Sequence, residues 1–272
     1  MTPEIRVLDC ESYTTALQSL AALFSCKPDE LARFLSQASL EARYVGGYCD
    51  TVSFENFILG QVSERFGAPS VPERVCWFHC TRVPQGTRFA EGILPLGAML
   101  PQLETVLASL VANPNNQALV RQVFGSRGGH AFQFRLKTGD SLHWGPYAIL
   151  VRDVAFHTRA LGQHDYLGMP EIVDDLCAEV EAIAGVNLTA EFEAALVPAI
   201  VKFSTPARGA ATGAVSAALC YVWSTLVNGK PDGNSVCNFD GGNVAVPAKT
   251  VLSVEFVSGK KDTSGVVRDL FA

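Results

Sequence analysis

The chain has little positive charge. Its 272 residues include 21 lysines and arginines against 27 aspartates and glutamates, which gives a formal net charge of -6. Proteins that coat DNA or RNA contact phosphates through basic clusters, so this composition argues against that class and allows at most a local basic groove. Disordered and collagen-like classes are excluded too, because 48% of the residues are hydrophobic and only 18% are charged.

The sequence also lacks a zinc-binding pattern. Cys76 and Cys80 are separated by three residues, but no second cysteine pair or Cys/His cluster completes a ligand set. The other candidate ligands are His143, His157, His164 and Asp165. Their spacing is not that of a metal site, and we expect no metal. The eight cysteines are expected to be reduced thiols in the cytoplasm, since no signal peptide opens the chain and its length is not that of a disulfide-stapled mini-domain.

No segment has the composition of a membrane span. Residues 210–228 are uncharged and about long enough, but glycine, serine and threonine dilute them, so that insertion into a bilayer would gain little free energy. We expect a buried helix there and no membrane partner. Residues 125–129 are expected to form a flexible connection, which lacks the lysine of a phosphate-binding P-loop.

The first 70 residues show helical periodicity. Leu17, Leu20 and Leu23 fall on one stripe, Pro28 suits a first helical position, and Ser53 can cap a further helix. We expect residues 1–70 to form an N-terminal region of three helices that covers a later sheet.

Residues 71–272 are expected to form an α+β core. The aromatic and β-branched residues at 74–82 predict a central buried strand. Further strands are predicted at residues 132–136, 147–151, 199–203 and 251–257, and helices at residues 117–124 and from Pro101, Pro170 and Thr189. Because helices and strands do not alternate strictly, we expect mainly antiparallel pairing.

Two polar residues end the central strand. His79 and Thr81 are two residues apart, so their side chains share one face of a strand, at a position where ligands are often bound. A second candidate is Glu255, a lone carboxylate within an apolar strand. Its burial would be costly unless a partner or a water-filled cleft solvates the charge.

The segment at residues 78–82, Phe-His-Cys-Thr-Arg, with Phe89 and the Gly-Ile-Leu at residues 92–94, resembles the first nucleotide-binding segment of the ADP-ribosyltransferase fold. The branch in question includes diphtheria-type toxins and poly(ADP-ribose) polymerases. In that family a strand ends in His-Gly-Thr or His-Gly-Ser, and a helix with an aromatic residue and a Gly-Ile-Leu-like exit follows. Cys80 stands here in place of the glycine. His79, Tyr147 and Glu255 follow the family's order of functional residues.

The resemblance implies a split antiparallel sheet with helical insertions, and transfer of ADP-ribose from NAD to an unidentified macromolecular acceptor. It makes Glu255 the catalytic residue, whose carboxylate would stabilise the oxocarbenium character of the ribose. It places His79 and Thr81 on the adenosine-side ribose and backbone, and Tyr147 on the nicotinamide ring. Arg82 would balance the pyrophosphate charge. A toxin-like protein of this kind could also have an inhibitory partner protein.

Two other functions stay open at this point. A Cys-His hydrolase would use a cysteine of the central strand as the nucleophile and one of the later histidines as the base. The candidates are Cys76 or Cys80 with His143, His157 or His164. The adjacent pair His79 and Cys80 is excluded, because neighbouring residues on a strand point to opposite faces. A non-catalytic binding or interaction protein, in which His79 and Glu255 are structural, is the other alternative.

Overall fold

A computed structural model describes residues 5–37, 39–126, 132–207, 209 and 211–258. Residues 127–129 of the expected flexible connection, and residues 259–272 of the expected core, lie outside these ranges. The described strands form one sheet in the order β5-β3-β2-β4-β6, and β1 pairs in parallel with the start of β2. The strands are β1 Val7–Leu8, β2 Arg74–Pro84, β3 Tyr147–Ile149, β4 Leu196–Pro206, β5 Asn238–Asp240 and β6 Val251–Phe256. The α+β class and the antiparallel pairing are confirmed, whereas the described strands do not form the split sheet that the resemblance implies.

Strands β2 and β4 form the spine of the sheet. They pair antiparallel along their full length, from Arg74 opposite Pro206 to Pro84 opposite Leu196. Side chains alternate along β2, so Trp77, His79 and Thr81 lie on one face, called here the tryptophan face. Phe78, Cys80 and Arg82 lie on the other, called the phenylalanine face. Both Trp77 and Phe78 are buried, which means that the first half of β2 is covered on both faces.

The N-terminal helices pack around one long apolar helix. They are α1 Tyr13–Leu23, α2 Pro28–Leu35, α3 Ser39–Gly47 and α4 Phe54–Phe66, one more than the sequence predicts. The long helix, α10 Ala211–Asn228, is buried over most of its length, as expected for an uncharged segment. It shares one hydrophobic core with α1, α2 and α4 and with the tryptophan face. Among the helices of the described ranges, none is long and apolar enough to cross a membrane.

A second helical layer lies at the far end of the sheet. It consists of α5 Leu96–Leu110, α6 Pro114–Ser126, α7 Phe132–Gly139, α8 Glu171–Ala184 and α9 Thr189–Ala195. These helices have a hydrophobic core of their own, centred on Leu107, Phe134 and Leu176. Helix α5 begins five residues before the predicted start and contains Pro101. Helix α9 leads directly into β4, and this connection fixes the layer beside the candidate functional site.

The prediction of a strand at residues 132–136 is wrong, because these residues begin α7. Phe134 is buried against Phe124, with ring centroids 5.4 Å apart, while Phe132 is 62% exposed. Only one residue of the alternating run is therefore fully buried. A stretch of five residues is too short for a period of two to be distinguished from a helical period, and contacts with α5 and α8 favour the helix.

Candidate functional site

A cavity of about 920 Å³ lies along the open edge of β2. On this edge, the described pairing with β1 and β3 reaches only to Phe78, so that β2 beyond Phe78 has no paired strand here among the described residues. The cavity passes around that edge and borders residues of both sheet faces. Most of its wall is apolar, with contributions from Phe89, Ile93, Leu103, Val106, Trp144 and Leu167.

His79 borders the cavity with a fixed orientation. Its Nδ1 lies 2.7 Å from the main-chain oxygen of Tyr147, on β3. Burial lowers the pKa of the imidazole, and the hydrogen bond to Tyr147 opposes this shift only in part. The ring is therefore neutral at pH 7, and one of its two nitrogens is already engaged.

Thr81 and Tyr147 also border the cavity, but from different sides of the sheet. Thr81 follows His79 on the tryptophan face, and its hydroxyl makes only a long contact of 3.5 Å with the carbonyl oxygen of Arg82. The register of β2 and β3 places the Tyr147 side chain on the phenylalanine face. Its hydroxyl donates to the carbonyl of Leu142 at 3.1 Å, and the residue is 40% exposed. Its ring can therefore contact a ligand at the rim of the cavity.

Arg82 is held by main-chain oxygens. Nη1 donates to Leu167 and Gly168 at 3.0 and 3.1 Å, and Nη2 donates to Glu193 and Leu196 at 2.7 and 2.5 Å. Its Nε is buried without a partner in the described part of the chain. The guanidinium thus joins the cavity wall to the start of β4. The predicted role beside a pyrophosphate does not agree with this geometry, because no Nη group is left to face a phosphate.

Glu255 does not border the cavity. It lies on β6 opposite Ile200 of β4, which in turn lies opposite Cys80 of β2. Two strand spacings, about 10 Å, therefore separate its backbone from β2. The carboxylate receives two hydrogen bonds from Arg152, at 2.6 Å from Nη2 and 3.1 Å from Nε. The structure therefore brings His79, Thr81, Arg82 and Tyr147 together and leaves the predicted catalytic Glu255 outside.

A charged cluster near the cavity is missing from the sequence-based prediction. Lys137 of α7 lies 3.0 Å from Glu171 and 2.7 Å from Asp175, both on α8. The Tyr166 hydroxyl donates to Glu171 at 3.1 Å. Burial raises the pKa of Glu171, but the hydrogen bond and charge of Lys137 outweigh burial, so that the net shift is downward. Four side chains here border both the cavity and an adjoining hollow of about 540 Å³, namely Lys137, Glu171, His143 and His164.

The cysteines of β2 are poorly suited to nucleophilic catalysis. Burial raises the pKa of Cys80 to about 12 and that of Cys76 to about 12, so both are thiols at neutral pH. The Cys80 Sγ makes a long contact of 3.9 Å with the oxygen of Phe78. No group of three or more histidine, cysteine, aspartate or glutamate residues within the described ranges could hold a metal ion. The raised pKa values of the two thiols weigh against the Cys-His hydrolase.

The fold and the cavity define an α+β protein with a large, mostly apolar pocket beside its central strand. Comparison with protein-family models, with curated protein sequences and with solved structures gives no match to this chain.

Proposed function

We propose that the protein binds a neutral, mainly apolar small molecule in the cavity beside β2. The observation that carries this proposal is the cavity itself. Its volume of about 920 Å³ lies near the upper end of the range of ligand pockets, roughly 300–1,000 Å³, and most of its wall is apolar. Burial of apolar ligand surface there would drive association.

The cationic side chains around the cavity disfavour an anionic ligand. Two cationic side chains border it within the described ranges, Arg82 and Lys137. Arg82 donates to four carbonyl oxygens, and Lys137 is paired with Glu171 and Asp175. A phosphate or carboxylate would have to break one of these arrangements. An uncharged molecule leaves both intact.

Binding of a neutral, polarity-sensitive naphthalene dye, 6-propionyl-2-(dimethylamino)naphthalene, tests this proposal. We expect saturable binding with a blue-shifted, brighter dye emission. The variant Val106→Trp adds a bulky ring to the cavity wall, and we expect it to lower the affinity about tenfold, since overpacking costs about 1–3 kcal/mol. The matched control is Thr105→Trp, at the neighbouring exposed position of α5, which should bind as the parent protein does. No saturable binding, or equal binding by both variants, would contradict the proposal.

We propose ADP-ribose transfer from NAD as a second candidate function. The observation in its favour is that His79, Thr81 and Tyr147, which the family resemblance assigns to NAD, all border one cavity. The position of Glu255, paired with Arg152 and two strands away from β2, does not support the catalytic role assigned to it.

Release of nicotinamide from NAD tests the second candidate. If the chemistry takes place in the cavity, His79→Ala should abolish the release, because the ring borders the bound dinucleotide, and Glu255→Gln should leave it unchanged. If Glu255 is the catalytic carboxylate, both variants should be inactive. Absence of release by the parent protein would reject this candidate and leave the first one standing.

A further inference from the structure

We propose that the ligand of the cavity carries a hydroxyl or N–H group directed at Nε2 of His79, and that this contact selects apolar alcohols and phenols over the corresponding ethers. The inference rests on the proposed small-molecule binding, since it concerns the ligand of that cavity.

The first step is the position of the hydrogen atom on the imidazole. Nδ1 of His79 lies 2.7 Å from the main-chain oxygen of Tyr147. A carbonyl oxygen can only accept a hydrogen bond, so Nδ1 must be the donor and must carry a hydrogen. Burial lowers the pKa of the ring, which is therefore neutral at pH 7 and has no second hydrogen. Nε2 is left as an acceptor with one lone pair.

The second step is the accessibility of Nε2. The ring borders the cavity, and no residue in the described ranges forms a hydrogen bond with Nε2. Two side-chain nitrogen or oxygen atoms of these ranges are fully enclosed without a partner, Arg82 Nε and Thr225 Oγ1, and Nε2 is not one of them. The nitrogen is therefore open to the cavity, where a ligand can reach it.

The third step is the effect of a ligand on this acceptor. An apolar ligand that fills the cavity removes water from Nε2, and an unpaired acceptor in such a site is unfavourable. A ligand hydroxyl replaces the lost hydrogen bond. An ether or carboxylate oxygen has no hydrogen to donate, and its own lone pairs would lie opposite the lone pair of Nε2. We expect a discrimination of about tenfold between two ligands that differ only in this group.

The pair 2-naphthol and 2-methoxynaphthalene isolates this difference, because the two molecules share one apolar body. We expect the parent protein to bind the naphthol about tenfold more tightly, and His79→Phe to bind both with similar affinity. Thr87→Val, which removes another hydroxyl that borders the cavity, is the control and should keep the preference. Equal affinities in the parent protein, or a preference that persists in His79→Phe, would overturn the inference while leaving small-molecule binding intact.

A second measurement does not depend on the stability of a variant. In protein labelled with ¹⁵N-histidine, the Nε2 resonance of His79 should move toward the value of a hydrogen-bonded acceptor when 2-naphthol is added, and should not do so with 2-methoxynaphthalene. A bound naphthol that leaves this resonance unmoved would overturn the inference. If neither naphthalene binds and the neutral dye also fails to bind, the proposed function itself is rejected, and this inference with it.

Discussion

Replacing Arg82 with methionine is expected to lower the free energy of unfolding by about 3 kcal/mol. The guanidinium donates to four main-chain oxygens, those of Leu167, Gly168, Glu193 and Leu196. Leu167 and Leu196 border the cavity. Methionine keeps much of the length of the side chain but donates no hydrogen bond, so partly buried carbonyl groups lose their partner. Urea denaturation followed by circular dichroism measures the change.

The matched control for this substitution is Arg88→Met. Arg88 is exposed, and loss of such a side chain should change the free energy of unfolding by no more than about 0.5 kcal/mol. The Arg82 variant should also bind the naphthalene dye more weakly, because Leu167 and Leu196, whose carbonyl groups Arg82 holds, form part of the cavity wall. A stability equal to that of the Arg88 variant would show that the four hydrogen bonds contribute little.

Replacing Gly92 with alanine is expected to destabilise the protein by about 3 kcal/mol. Gly92 has φ +86, which an L-residue rarely adopts, and a Cβ there would lie 2.0 Å from the main-chain oxygen of Val246. The neighbouring residue, Ile93, exchanges two main-chain hydrogen bonds with Val246 at 3.0 and 2.9 Å. The substitution must therefore separate two segments of backbone, one of which borders the cavity.

Gly86→Ala separates the two causes of this loss of stability, which are the positive φ of residue 92 and the contact of its Cβ with Val246. Gly86 has nearly the same φ, +85, but a Cβ there would meet no atom within 4 Å. We expect this variant to lose only about 1 kcal/mol, the cost of the backbone conformation alone. The difference between the two variants measures the close approach of residue 92 to Val246. Similar losses would indicate that the 246–248 segment moves away readily.

The sequence was sufficient to predict elements whose signal is local. The apolar, aromatic run that contains Trp77 and Phe78 predicted β2, because a strand covered on both faces needs such residues at every position. The segment that forms α10 was predicted as a buried helix because it has no charged residue that would need to face water. His79 and Thr81 lie beside a cavity, but within β2 and not at its end, because pairing with β4 continues the strand to Pro84.

The features that were missed depend on long-range pairing. Glu255 lies on a strand as predicted, but the order of strands in the sheet, which places β4 between β6 and β2, is not encoded in any short segment. Arg82 finds its carbonyl partners 85 to 114 residues further along the chain. The cluster around Lys137 was hidden because the alternation of residues 132–136 indicated a strand, whereas a helix brings Lys137 next to α8.

The packing of Trp144 against the start of α5 gives the molecule a built-in optical probe. A Cβ at Gly97 would lie 2.3 Å from the indole ring, and the indole nitrogen donates to the Lys137 oxygen at 2.9 Å, so the ring is held firmly at the cavity wall. Of the three tryptophans in the sequence, Trp77 and Trp223 are buried against Phe239 and Phe54 instead. A change in intrinsic emission on adding a ligand can therefore be attributed to one known indole, without any label on the protein.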